Sequence, residues 1–250
     1  MNPIIIIPSR LASTRLANKP LADICGLPMI VQVIHRAKEA NFAKVVVAAA
    51  DKNIAKVVIA HGGEVVLTDP ALPSGSDRVY QALRQIDPEG KYDVVINLQG
   101  DLPTIEPQAI AECATLLNDK NIDIATLAAI IDNEADKQSP NVVKAIIDLD
   151  AEKKQGNALY FTRTTAPWGE GDLWHHIGIY AYQRKALEKF IIAPPSYLEK
   201  REKLEQLRAL SLGLKITVKL TDIVPIGVDT QEDLDKAITY LKAQQKCLKC

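Results

Sequence analysis

The chain has 250 residues, and its 30 Lys and Arg against 31 Asp and Glu leave a formal net charge of -1. That length allows one large α/β domain with a sizeable core, and that balance lacks the positive surplus of a general nucleic-acid binder. No apolar run approaches the roughly 20 residues of a membrane helix and no basic region precedes the first apolar stretch, so neither a membrane partner nor a signal peptide is expected, and the cytoplasm is the expected compartment.

Taken in chain order, the elements alternate. Ile4-Ile5-Ile6-Ile7 is a continuous β-branched run and reads as a buried parallel strand. Met29, Ile30, Val33, Ile34 and Ala37 then recur at helical spacing, followed by a second strand, Val45 to Ala49. Asn53 to Ala60 reads as a helix closed by Gly62-Gly63, and Glu64 to Thr68 as a strand. Ser76 to Ile86 reads as a helix with Ser76 or Asp77 as its cap. Asp93 to Leu98 is a buried strand, and Pro107 to Leu117 a helix that Pro107 starts. This order predicts a mostly parallel sheet with helices on both faces.

After about Asp123 the order changes. Ile124 to Ile130, Val142 to Leu149, Ala158 to Thr162 and Ile177 to Tyr182 are strand candidates with few helices between them. They suggest a small mixed-strand subdomain, at about 124–182, inserted into one continuous domain, 1–250. Ser196 to Leu212 reads as one charged amphipathic helix, Lys215 to Leu220 as a strand, and Thr230 to Gln245 as a closing helix capped by Thr230. The four cysteines, Cys25, Cys113, Cys247 and Cys250, make no disulfide framework at this length. Cys247-Leu248-Lys249-Cys250 has CxxC spacing without a second ligand pair, and reads as a frayed tail.

The candidate chemistry sits where strands end, which is where open α/β sheets bind ligands. The first strand runs into Pro8-Ser9-Arg10-Leu11-Ala12-Ser13-Thr14-Arg15-Leu16-Ala17-Asn18-Lys19-Pro20. Arg10, Arg15 and Lys19, among small hydroxyl residues, suit a polyphosphate, although a solvated basic loop has the same composition. Pro73-Ser74-Gly75-Ser76-Asp77-Arg78 opens a helix with amides and a guanidinium that could face a nucleotide. Asn97-Leu98-Gln99-Gly100-Asp101 and Gly227-Val228-Asp229-Thr230 each place a carboxylate at a strand exit. Two such carboxylates are what Mg²⁺ prefers, with phosphates and water completing its octahedron; the alternative is a turn Asp and a helix N-terminal Asp.

These segments, with His176-Ile177-Gly178-Ile179-Tyr180 and Leu204-Glu205-Gln206-Leu207, occur together and in order from Ile4 to about Leu241. The set resembles the 3-deoxy-manno-octulosonate cytidylyltransferases (CMP-Kdo synthetases) of Gram-negative bacteria. Ala17-Asn18 stands where the family often has Pro-Gly, and the stretch between Pro167 and His176 is shorter than in many members. The resemblance implies a Rossmann-like nucleotidyltransferase fold of the nucleotide-diphospho-sugar transferase type. It implies the reaction of CTP with Kdo to give CMP-Kdo and diphosphate, for lipopolysaccharide biosynthesis, by a homodimer using Mg²⁺. It places Ser9, Arg10, Arg15 and Lys19 on the triphosphate, Ser74, Gly75, Arg78 and Gln99 near the cytidine, and Asp101 and Asp229 on the metal, with Arg15, Lys19, Asp101 and Asp229 catalytic. For the sugar it implies Arg163 at the carboxylate and Gln99, His176, Tyr180, Glu205 and Gln206 at the hydroxyls. Alone, Tyr180 reads more readily as core and Glu205 as solvated. A sialic-acid cytidylyltransferase and a catalytically silent nucleotide-binding module are the alternatives. A glycosyltransferase would carry Asp-x-Asp where this chain has Gln99-Gly100-Asp101.

Overall fold

The computed structural model describes residues 1–12, 15–152 and 154–247. The CxxC reading at Cys247 and Cys250 lies outside the described residues and side chains. In chain order the elements are β1 (Pro3–Ser9), β2 (Asp23–Ile24), β3 (Leu27–Pro28), α1 (Met29–Glu39), β4 (Lys44–Ala49), α2 (Lys52–Ala60), β5 (Glu64–Leu67), α3 (Gly75–Ile86), β6 (Val94–Leu98) and α4 (Pro107–Thr115). They continue with β7 (Ile124–Ile130), α5 (Glu134–Gln138), β8 (Lys144–Leu149), β9 (Gln155–Thr162), β10 (Trp174–Gln183), α6 (Arg184–Ile192), α7 (Tyr197–Glu202), α8 (Gln206–Ser211), β11 (Ile216–Leu220) and α9 (Gln231–Cys247). Two compact units emerge. The first joins Asn2–Ala111 to Pro225–Cys250, and the second spans Glu112–Val224.

In the first unit β5, β4, β1 and β6 pair in that order and all in parallel. Apolar runs on β1, β4 and β6 dictate this, since only strands covered on both faces can be apolar throughout. Ile4 to Ile7 are accordingly 0% exposed. The closing helix α9 packs Leu234, Ala237 and Leu241 with Ile24, Met29 and Val228. A small hairpin, β2–β3, escapes the sequence reading. It turns on Cys25 and Gly26 with φ of 56° and 87°, as tight two-residue turns require.

The second unit corrects the expectation of a mostly parallel sheet. There β7 pairs in parallel with β11, but β10–β7, β10–β8, β8–β9 and β9–β11 are all antiparallel. Gly156 on β9 has no room for a side chain, since a Cβ would stand 2.1 Å from the Asp148 carbonyl oxygen. The long helix expected from Ser196 to Leu212 is two helices: Lys203 takes φ 57° and ends α7 before α8 begins. The helix α6 was missed, although Ala186, Leu187 and Phe190 are its buried face. It follows β10 with no intervening turn signal, which hides its start. No described helix is long and apolar enough to cross a membrane.

Candidate active site

In the first unit, the loops after β1 and β6 and the approach to α9 line a cavity of about 350 Å³ with Pro8, Ser9, Arg10, Arg15, Lys19, Ser74, Gly75, Arg78, Gln99, Gly100, Asp101 and Asp229 among its walls. Every nucleotide and metal candidate from the sequence therefore meets in one place. Gly100 makes this possible, because a Cβ there would lie 3.0 Å from the Pro8 carbonyl oxygen. The Val228 N–H donates to the Asp101 carbonyl at 2.9 Å and ties the β6 exit to the irregular segment before α9, so Asp229 stands at a helix approach and not at the strand exit expected of it.

The central feature is an ammonium between two carboxylates. Lys19 Nζ donates to Asp101 Oδ2 at 2.8 Å and to Asp229 Oδ1 at 3.0 Å, and Arg15 Nη2 lies 2.9 Å from Asp229 Oδ2. Burial is the largest single influence on Lys19 and would lower its pKa, but Asp101 and then Asp229 outweigh it and hold it above the ordinary lysine value. Lys19 opens a short 3-10 turn behind Asn18, which takes φ 51°. Asn tolerates that left-handed conformation, as Gly would, so the departure at Ala17-Asn18 preserves the turn.

The donor set fits Mg²⁺. Two hard oxygen ligands that already converge on one cation leave the remaining positions to phosphates and water. Among the described residues no group of three His, Cys, Asp or Glu is placed to hold a metal, so the protein offers no closed cage of its own.

Around this centre the candidates divide by what already holds them. The Ser9 hydroxyl, at the last residue of β1, is buried without a hydrogen-bond partner. Ser74 is otherwise engaged. It, and not Ser76 or Asp77, caps α3, accepting from the Asp77 N–H at 3.2 Å and donating to Asp77 Oδ2 at 2.7 Å. Arg78 is held by Thr68 Oγ1 at 2.6 Å and the Asp69 carbonyl at 3.0 Å. Burial, then the charge of Arg10, lowers its pKa; two guanidiniums that repel each other favour an anion between them. Gln99 donates to Asn97 Oδ1 at 2.9 Å. The sequence reading missed Asp51, whose carboxylate accepts from the Leu11 N–H at 2.8 Å and pins the basic loop. Its signal was an Asp just past the end of β4.

Of the sugar candidates in the second unit, His176, Tyr180 and Gln206 lie in regular structure, and Arg163 and Glu205 just outside it. His176 and Tyr180 lie on β10 with ring centroids 5.3 Å apart, within a run of aromatic contacts from Phe161 through Tyr182 to Phe190. Burial, then the neighbouring His175, pushes His176 down to about 3, so its imidazole is neutral. Burial, then Tyr182 and Glu205, raises the Tyr180 phenol well above its ordinary value. Arg163 gives Nε to the Glu202 carbonyl, Nη1 to the Pro140 carbonyl and Nη2 to the Lys203 carbonyl, at 2.9, 2.8 and 3.5 Å. A guanidinium has five N–H donors, which leaves two of them for a ligand. Glu205 precedes α8, and Gln206 Nε2 is buried without a partner. Ser9 Oγ and Gln206 Nε2 are the two orphaned buried side-chain atoms among the described residues, and both sit on residues the sequence marks for ligands. Buried donors without partners are rare because each costs desolvation.

The chain as a whole matches known proteins. The model of the cytidylyltransferase family covers residues 4–216. The chain is 57% identical over 240 residues to a 3-deoxy-manno-octulosonate cytidylyltransferase of Rhodospirillum centenum, covering 96% of this chain and 93% of that one. It is 59% identical over 236 residues to the protein of that name in Parvibaculum lavamentivorans, covering 94% and 91%. A structure of CMP:2-keto-3-deoxy-manno-octonic acid synthetase complexed with CTP superposes with a TM-score of 0.89 at 34% identity, over 98% of this chain and 100% of that one. A 4-diphosphocytidyl-2C-methyl-D-erythritol synthase from Anaerococcus prevotii, 12% identical with a TM-score of 0.65, shares the fold alone.

Proposed function

Since the chain belongs to the 3-deoxy-manno-octulosonate cytidylyltransferase family, we infer that it transfers the cytidylyl group of CTP to Kdo, giving CMP-Kdo and diphosphate. In this reading it works in the cytoplasm of a Gram-negative bacterium and supplies activated Kdo to lipopolysaccharide assembly. The observation that carries the chemistry is the convergence of Asp101, Asp229 and Lys19 in one cavity with Arg10, Arg15 and Ser9.

The anomeric hydroxyl of Kdo attacks the α-phosphorus in line and gives its proton to solvent, the bond to the β-phosphate oxygen breaks, and diphosphate leaves. Catalysis of this kind rests on positioning and on neutralising charge, with no covalent enzyme intermediate. Arg10, Arg15 and Lys19 neutralise the triphosphate and the leaving diphosphate, and the Ser9 hydroxyl gains the partner it lacks. Asp101 and Asp229 are the residues that would hold Mg²⁺, which would supply polarisation of the phosphoryl oxygens and acidification of the attacking hydroxyl. Lys19 occupies both carboxylates in this structure, and released from them its ammonium would be available to phosphate. The two remaining N–H groups of Arg163 meet the Kdo carboxylate, while Gln99, His176, Tyr180, Glu205 and Gln206 meet hydroxyls.

The test is diphosphate release with CTP and Mg²⁺ in the presence of Kdo or sialic acid. Sustained release with Kdo and background with sialic acid is expected. The reverse preference reassigns the enzyme to the sialic-acid class, and CTP binding without turnover on either acid makes it a silent module. A homodimer belongs to the same proposal, supported by the exposed Leu159 (61%) on β9 and the exposed Trp168. Light scattering of a fully active 27.4 kDa species would overturn it.

A further inference from the structure

The strand that carries His176 and Tyr180 is irregular. On β10, Ile177 pairs with Leu127 of β7, and the next pair is Tyr180 with Thr126. Gly178 and Ile179 thus have no counterparts, and two residues are folded out of the ladder. Four residues of regular strand span about 13 Å, whereas the His176 and Tyr180 rings are 5.3 Å apart. The bulge is what makes the two side chains neighbours, as bulges beside sites often do.

One side chain closes this bulge. Thr126 is 0% exposed, and its Oγ1 lies 2.6 Å from the Ile179 carbonyl, 3.3 Å from the Ile177 carbonyl and 3.1 Å from His176 Nε2. A threonine hydroxyl has a single proton, and the shortest contact, to Ile179, takes it. The proton between Thr126 and His176 must then come from the imidazole, which fixes the Nε2–H tautomer. His176 stays singly protonated, because burial disfavours the cation. Nδ1 is left as a bare acceptor, and no hydrogen bond to it is made among the described residues.

We propose that Thr126 is a positioning residue for sugar specificity: it pins the β10 bulge and fixes the His176 tautomer, so that Nδ1 is presented as an acceptor to a hydroxyl of the acid sugar. This rests on the reading that His176 and Tyr180 meet the sugar. Any ligand taken here must offer a hydroxyl donor, and an analogue deoxygenated at that position is discriminated against.

The experiment combines steady-state kinetics of Thr126→Val, Thr126→Ser and His176→Ala with ¹⁵N NMR of the imidazole in the unmodified protein. Thr126→Val removes the hydroxyl at constant volume; the KM for Kdo should rise about tenfold or more while the KM for CTP stays within about twofold, since one lost hydrogen bond of ordinary strength is of this size. Thr126→Ser should restore most of the difference, which a packing role of the threonine methyl would not allow. The NMR spectrum should show Nε2 protonated and Nδ1 bare. If His176→Ala raises the KM for Kdo and Thr126→Val does not, the Thr126 proposal falls alone. If neither variant changes Kdo kinetics, the sugar assignment itself falls. Should Thr126→Val fail to fold, a protonated Nδ1, or a Thr126→Ser protein no better than background at retaining Kdo, still overturns the proposal.

Discussion

The polar groups proposed to meet ligands are held in opposite ways in the two units. In the first, the central groups, Arg15, Lys19, Asp101 and Asp229, are charged, stand outside the strands and α-helices, and are partly exposed: the side chains of Arg15 and Asp229 are 55% and 46% accessible. They are held by one another, through Lys19. In the second, the groups are mostly neutral, belong to a strand and helices, and are buried, with His176 at 8% exposure and Gln206 at 6%. Internal ion pairs in a wet cleft are easily exchanged for a triphosphate and its metal, because exposed pairs contribute little. Sugar hydroxyls offer weak interactions, so their partners must be dry and fixed in advance. This contrast is what the proposed division, a polyanion in the first unit and a polyol in the second, expects.

If the second unit is a prearranged framework, breaking its buried ion pair should have the largest effect. Arg208 gives Nε and Nη2 to the two Glu199 oxygens at 2.8 and 2.5 Å and lies 4.5 Å above the Phe190 ring, joining α6, α7 and α8. Glu199→Ala leaves a buried guanidinium without its carboxylate, so stability should fall by about 3–5 kcal/mol in urea denaturation. The matching change in the first unit attacks chemistry instead. Asp101→Asn or Asp229→Asn should lower turnover by roughly 10²-fold or more, about 2.7 kcal/mol of barrier, at saturating Mg²⁺. Lys19→Met should weaken CTP while strengthening Mn²⁺ binding without nucleotide, seen by calorimetry, since the ammonium competes for the same carboxylates. Normal turnover in both Asn variants would remove the metal assignment.

The same contrast explains what the sequence disclosed. The β1 loop, Ser74 to Arg78 and Gln99 to Asp101 were legible because charged and small residues at strand and helix ends are a local pattern, while Asp229 was legible as an Asp before a helix, not as the end of a strand. The parallel strands were legible because burial on both faces leaves an apolar run. The second unit was harder. Its bulge at Gly178-Ile179 depends on which strand lies beside it, and Thr126, inside an apolar strand, looks like any β-branched core residue. The break at Lys203 comes from a left-handed residue that no glycine announces, and α6 follows β10 without punctuation. Gln206 became informative only once its amide was seen to be buried without a partner.

Acid should sharpen the difference between the units. His176 titrates near 3 in the folded chain against an ordinary 6.5, so between those values the unfolded chain binds a proton that the folded one refuses. Stability therefore rises with pH across this window and is lost on acidification, by about 1.4 kcal/mol for each pH unit. His175 is also depressed, by burial first, and remains in a His176→Gln variant. The difference between wild type and that variant, in urea midpoints from pH 7 to pH 4, isolates His176. Parallel slopes would mean that the imidazole is protonated in the folded state.

The smallest effect compares two serines within the first unit. Both line the cavity, and the resemblance assigns both to the nucleotide, but their hydroxyls are in different situations. That of Ser74 is committed to Asp77 at the start of α3, so Ser74→Ala should cost about 1 kcal/mol of stability, the usual value of a lost N-cap, and leave the KM for CTP nearly unchanged. That of Ser9 is buried with no partner, so Ser9→Ala removes an unsatisfied group and should leave stability level or slightly raised. Its effect should fall on CTP, as a several-fold rise in KM, because the ligand then loses a buried donor that the folded chain leaves unpaired. Thermal melts and CTP titrations on the two variants give four numbers, and the expected pattern is crossed. If Ser9→Ala lost stability and kept its CTP affinity, the hydroxyl would belong to the framework of the first unit, and the orphaned atom would have to be explained by a buried water instead.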